Sequence, residues 1–217
     1  MTETSRSEIS RTVTVTGSGS AEAVPDLLTL SIGVECRRDT VGTAYSEAGK
    51  VSAAVAAALR RFGVGDPDIN TTGLNVRADL VWHEGEGQKV TGYVASSVLS
   101  VRVRNVARSS ETLAAAVDAG GNDVRLNGLE LGFSDPAAVL AVAREAAWQD
   151  ALASARQFAG LAAAELGGVV SVTQVSAASA PVPLAKIQRA MAAEAINVEA
   201  GESSVSSAVT VVWELRG

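Results

Sequence analysis

The chain has 217 residues, of which 47% are hydrophobic, 19% charged and only 4% aromatic. That composition excludes general disorder and suits an aliphatic core, in one large domain or two small ones. Eighteen Lys and Arg against 24 Asp and Glu leave a net charge of −6, which argues against a protein that neutralises a nucleic-acid backbone.

Residues 1–11 read as a loose polar tail, and residues 12–217 as a single domain. The tail has no apolar stretch of the kind that directs secretion, so a cytoplasmic location is expected. No apolar run is long enough to span a bilayer. Val13 and Val15 alternate with threonines as a short strand. The next stretch, "GSGSAEAVPD", holds a Gly-x-Gly at Gly17 and Gly19. A dinucleotide fingerprint needs a third glycine and then a helix whose N-terminus faces the pyrophosphate. Here Glu22 takes the third position, where a carboxylate repels phosphate, and a strand follows Pro25. The stretch is therefore expected to be a strand connection and not a nucleotide site.

In the second strand Leu28, Leu30, Ile32 and Val34 share one face. Cys36, the only cysteine, ends it beside Arg37 and Arg38. The positive charge could favour a thiolate, but a small, half-buried structural residue is the simpler expectation. Asp39 or Thr40 caps a helix whose apolar stripe is Val41, Ala44, Ala48, Val51, Val55, Leu59 and Phe62, with Gly63 as its stop. Asp66-Pro67 marks a turn, which accounts for the nearby carboxylates Asp66 and Asp68 without catalysis. Leu74, Val76, Ala78, Leu80 and Trp82 alternate as a strand over about 70–82. "HEGEGQK" is a flexible hairpin connection, and Tyr93 to Val103 alternate as the partner strand. His83, the only histidine, stands in that connection with no nucleophile beside it, and a solvated residue is expected.

A short helix follows from Ser109 or Ser110 to about Ala119, stopped by Gly120-Gly121. Leu129, Leu131 and Phe133 mark another strand. Asp135-Pro136 reads as an N-cap with proline at the first helical position. The helix behind it is expected to run to about Leu166, ended by Gly167-Gly168. Alanine recurs every fourth residue, at Ala143, Ala147, Ala151, Ala155, Ala159 and Ala163, a ladder low enough for a neighbour to sit close. Strands near 169–176 and from Val205 to Leu215 flank a long arm at 177–203. The fold expected is α+β, an antiparallel sheet packed against helices. Two βαββ units, 27–104 and 125–215, are joined by the short helix.

The combined pattern resembles the SIMPL-domain family. The residues that carry the resemblance are "VTGSGSAEAVPDLLTLSIGVE", "DINTTGLNV", "VTGYVASSVLSVRV", "DAGGNDV…LNGLELGFSD", "AREAAWQDALASARQFAGLAAAELG" and "AMAAEAINVEAGESSVSSAVTVVWEL". Together they cover about residues 12–216. The resemblance implies an α+β fold and no established enzyme activity. It implies bacterial relatives of the cell envelope or periplasm, some immunogenic and some linked to oxidative-stress defence. At least one relative forms a large ring-like homo-oligomer, and a eukaryotic relative is an adaptor for a signalling kinase. It supplies no catalytic residues.

No catalytic constellation, metal site or cofactor is expected. The function expected is a non-enzymatic self-assembling scaffold or binding protein. One alternative is a small-molecule binder or unrecognised enzyme with a pocket near 83–89 or under the 177–203 arm; another is a protein–protein adaptor. Leu184, Ile187 and Met191 form a one-sided apolar stripe at helical spacing and are the expected homo-oligomer interface. Sheet edges near 90–104 or 205–215 are expected to contribute.

Overall fold

The structure is a computed structural model. It describes residues 11–85, 87–175 and 198–217, with the backbone alone at 182–183. The described residues divide at Val24/Pro25, Ser134/Asp135 and Ala200/Gly201 into two compact units. One, here the terminal unit, holds the first and last strands of the chain; the other is the middle unit.

In the middle unit, β2 (Leu27–Arg38) leads into α1 (Val41–Arg61), the hairpin β3 (Ile69–His83) and β4 (Gly87–Val103), α2 (Ser109–Gly120) and β5 (Val124–Gly132). The sheet order is β3-β4-β2-β5, all antiparallel. The expected face of β2 is the core: Leu28, Leu30, Ile32 and Val34 are buried against Ala44, Ala48, Val55 and Leu59 of α1. Thr40 starts α1 as the sequence suggests, its Oγ1 accepting from the Thr43 amide at 3.2 Å. Gly63, at φ +90°, closes it. The Val64 amide reaches back to the Leu59 carbonyl and that of Gly63 to Arg60, which is the Schellman arrangement.

The terminal unit holds β1 (Thr12–Ala23), α3 (Pro136–Leu161), β6 (Glu165–Val175), β7 (Val182–Pro183) and β8 (Ser203–Arg216). The sheet order is β1-β8-β6, with β7 also on β8. The Asp135 carboxylate caps α3, accepting from the Ala137 and Ala138 amides at 3.1 Å, and Pro136 opens it. The core is small, built from Val15, Ala151, Ala155, Val211 and Trp213, with the Trp148 ring 5.8 Å from that of Trp213.

The order of elements is the expected one; the sharing of strands between sheets is not. β5 precedes α3 in the chain but pairs with β2, and β1 takes the equivalent place beside β8. The physical reason is size. The helix-side face of β5 carries Leu126, Leu129 and Leu131, whereas that of β1 carries Gly17 and Gly19, which fit under the alanine ladder of α3.

Three further expectations change. "GSGSAEA" lies inside β1 and is not a connection, because its glycines are packed and its backbone is paired with β8. α3 stops at Leu161: Ala163 turns to φ 52°, and the Ala163 and Ala164 amides bond the Gly160 and Ala159 carbonyls. An alanine occupies the left-handed position usually given to glycine, and Gly167-Gly168 fall in β6. Finally, the segments 90–104 and 205–215 are not edges. β4 lies between β3 and β2 from Tyr93 to Val101, and β8 lies between β1 and β6 from Ala208 to Glu214.

Candidate functional site

The Gly-x-Gly is where the sequence most resembles a ligand loop, and it faces a helix. A Cβ on Gly17 would overlap the Ala147 carbonyl oxygen and the Ala151 nitrogen and lie 2.7 Å from Ala151 Cβ. One on Gly19 would lie 2.5 Å from the Ala143 carbonyl oxygen. The glycines admit protein backbone and leave no room for a phosphate. Ala143, Ala147, Ala151, Ala155 and Ala159 are all buried on this seam.

Cys36 is fully buried in the middle unit. Burial pushes its thiol up to about 11, Asp123 adds to this, and Arg38 opposes it. A thiol held protonated is a poor nucleophile, and this one has no exposed surface for a reactant to reach.

Asp68 is buried and chelated. Arg104 donates to it through Nε at 2.8 Å and Nη2 at 3.0 Å, and Arg102 Nε lies 3.0 Å away. The hydrogen bonds from Arg104 hold the carboxyl below its ordinary range against the penalty of burial. A cavity of about 120 Å³ opens here, lined by Phe62, Val64, Asn105 and Thr112 beside these charges. Arg102 and Arg104 share Asp68 and Arg108 pairs with Glu111, so three guanidiniums meet two carboxylates and the cluster keeps an excess of positive charge. Asp26 accepts from the Ser134 hydroxyl and amide and holds the two ends of the middle unit's chain together. In the terminal unit a depression of about 430 Å³ is lined by Ala163, Ala164, Glu165, Arg216 and Gly217, with one carboxylate and one guanidinium to offer. Residues 83–85 and 87–89 line neither space. Among the described residues no three of His, Cys, Asp and Glu converge as metal ligands.

The feature that asks for a partner is the β3–β4 hairpin. Pairing of β2 with β4 ends at Arg38↔Tyr93, but β3 and β4 continue as two strands to His83↔Gly87. Arg37 clasps the base of this arm, bonding Asp79 at 2.7 Å and Thr91 at 3.0 Å. Beyond the clasp Leu80, Val81, Trp82 and Val90 are exposed, Trp82 to 71%. His83 is exposed too, as the last residue of β3 and not within a loop. The sequence did carry a signal for the arm. The alternation of Leu80 and Trp82 implies a covered face, and the described chain supplies no cover. Leu184, Ile187 and Met191, the expected interface, lie outside the described residues.

An α+β chain of two antiparallel sheets, one packed by α1 and the other by α3, defines a class by fold alone. The chain belongs to the SIMPL family: the family model, described as a protein of unknown function (DUF541), matches residues 13–213. The 26 kDa periplasmic immunogenic protein of Brucella melitensis is 32% identical over 213 residues, spanning 94% of this chain and 84% of that protein. Its counterpart in Brucella abortus matches equally well. The uncharacterized protein YggE of Escherichia coli K12 is 28% identical over 207 residues, spanning 94% of this chain and 83% of YggE. No helix among the described residues is long and apolar enough to cross a membrane.

Proposed function

We propose that the chain is a non-enzymatic, self-assembling binding protein that works by presenting surface. The observation that carries this reading is the arm, with Leu80, Val81, Trp82 and Val90 uncovered beyond the Arg37 clasp. A two-stranded ribbon is marginal in water by itself, and clustered exposed apolar side chains mark contact surfaces. A second copy of the chain is the occupant favoured here, and the stripe at Leu184, Ile187 and Met191 is a further contact within the same proposal. The printed names of the Brucella relatives favour a periplasmic setting over a cytoplasmic one. Fractionation of the native cell decides between the two. A stress- or envelope-related role belongs to the proposal through the family resemblance alone, and growth of a deletion strain under peroxide tests it.

Light scattering on the full chain tests self-assembly. The wild type is expected at a multiple of the chain mass, and the double variant Leu80→Ser, Trp82→Ser at a smaller one with an unchanged circular dichroism spectrum. A monomeric wild type at micromolar concentration removes the reading.

A further inference from the structure

Three arginines converge on the cavity of about 120 Å³ in the middle unit. Arg102 and Arg104 come from the end of β4, and Arg108 from the turn before α2. Arg104 directs Nε and Nη2 to Asp68, and Arg108 directs the same two groups to Glu111. Among the described residues, the Nη1 group of each is left without a protein partner, and so is the side-chain amide of Asn105, which lines the cavity with them. Asp68 is the one carboxylate on the described wall, and both its oxygens already accept from Arg104. Glu111 is exposed and stands outside the lining. So does Asp26, whose charge Arg104 also feels and whose oxygens accept from Ser134. Phe62, Val64 and Val103 supply the apolar part of the wall.

We propose that this cavity binds a small organic monocarboxylate. Its carboxylate accepts from the unused N–H groups of the arginines, and its short hydrocarbon tail lies against Phe62 and Val64. The planar fork of a guanidinium matches a carboxylate with two parallel hydrogen bonds. Size limits the ligand. The cavity is roughly ten times the 10–15 Å³ that admits one water, and well short of the roughly 300–1,000 Å³ of a site for a cofactor or drug-sized molecule. Charge limits it too. Three guanidiniums against Asp68 and Glu111 leave an excess of one positive charge. That matches a monoanion better than a phosphate ester, which carries about −1.5 to −2 near neutral pH and gains nothing from apolar walls. Asp68 is a positioning residue in this reading. By holding Arg104 through two hydrogen bonds it fixes the guanidinium before the ligand arrives, which lowers the ordering cost of binding. The site lies within the middle unit and does not depend on self-assembly, so either reading can fail alone.

Equilibrium dialysis of the full chain against radiolabelled butyrate, at fixed ionic strength, tests the proposal. The wild type is expected to bind one butyrate per chain, saturably and in the millimolar range or tighter. Arg108→Gln is expected to weaken binding roughly tenfold, the loss of one charged hydrogen bond. Glu111→Gln releases Nε and Nη2 of Arg108 and is expected to tighten binding about twofold or more, a gain that a purely structural Arg108 would not give. Arg60→Gln is the control: Arg60 pairs with the exposed Asp66 outside the lining, and binding should not change. Circular dichroism follows the fold of each variant. No saturable uptake by the wild type overturns the proposal, and so does equal uptake by a folded Arg108→Gln or an equal loss in Arg60→Gln. If Arg108→Gln does not fold, a Glu111→Gln protein that binds no tighter than the wild type overturns it. Displacement of butyrate by an equal concentration of phosphate overturns the carboxylate as the ligand.

Discussion

Gly17 lies directly beneath Ala147, so that a single methyl on Gly17 would run into the Ala147 carbonyl oxygen. The obstacle is backbone, and no rotamer change relieves it. Gly17→Ala is expected to destabilise by about 3 kcal/mol or more, a fall in Tm of roughly 6–12 °C for a chain of this size. Gly160→Ala is the control: nothing lies within 4 Å of a Cβ there, and replacing a helical glycine gains about 0.5–1 kcal/mol. Calorimetry of the two variants checks the seam. Equal melting temperatures would mean that α3 does not rest on β1 at this distance.

The same seam predicts that ATP, NAD and FAD leave the melting temperature unchanged. A ligand bound only by the folded chain at 100 times its dissociation constant would add about 2.7 kcal/mol. A reproducible rise at millimolar nucleotide, lost in Gly19→Ala, contradicts the packing role.

Ala163 sits at φ 52°, a left-handed conformation that costs an L-residue with a Cβ about 1 kcal/mol. Ala163→Gly is expected to recover about that much, read as a raised urea midpoint with an unchanged slope. A lowered midpoint would show that the helix ends elsewhere.

The buried Cys36 thiol makes stability fall in alkali. Its folded pKa, pushed up by burial to about 11, lies above the ordinary thiol range. The contribution is therefore complete below about pH 9 and is lost as pH rises towards 11, amounting to roughly 2–3 kcal/mol. Cys36→Ala should lose less stability over that window than the wild type. Parallel curves for the two proteins would remove Cys36 as the cause.

Asp68 acts in the opposite direction. Its folded pKa is lowered, so its contribution is present above the ordinary carboxylate range and is lost as pH falls through it. Asp68→Asn leaves Arg102 and Arg104 without their anion. Because both arginines are about half exposed, the expected cost at neutral pH is only about 1–2 kcal/mol. The gap to the wild type should narrow as pH falls below the ordinary carboxylate range and the lowered carboxyl takes up its proton. A gap independent of pH would point to packing instead of charge.

Much of this was legible in single stretches of sequence. The β2 face from Leu28 to Val34, the Thr40 cap, the Gly63 stop and the Asp135-Pro136 start are all local signals, set by spacing or by capping chemistry. What the sequence hid was relational. Gly17 and Gly19 look like a loop because the reason for them, Ala143 and Ala147, lies far along the chain. The end of α3 was missed because Ala163 has the composition of a helix and the dihedral of a turn. That β4 and β8 are interior strands depends on which partners flank them, which no local alternation records. The alternation of Leu80 and Trp82 marks a strand but does not record that nothing among the described residues covers it.

The exchange of β1 and β5 between sheets has a consequence for synthesis. β2 to β5 lie within one continuous stretch, so the middle unit's sheet can close as soon as that stretch has left the ribosome, with Val198 added to its core later. β1 emerges first of all and pairs only with β8, Thr12 with Glu214 and Ala23 with Ser203. It must wait for almost the whole chain to be translated, holding a glycine-lined face and both hydrogen-bonding edges open. Contacts so distant in sequence are the slow ones to form, and an open strand is an invitation to other chains. A message truncated before β8 would yield a finished middle unit joined to a β1 and an α3 with no sheet to complete them.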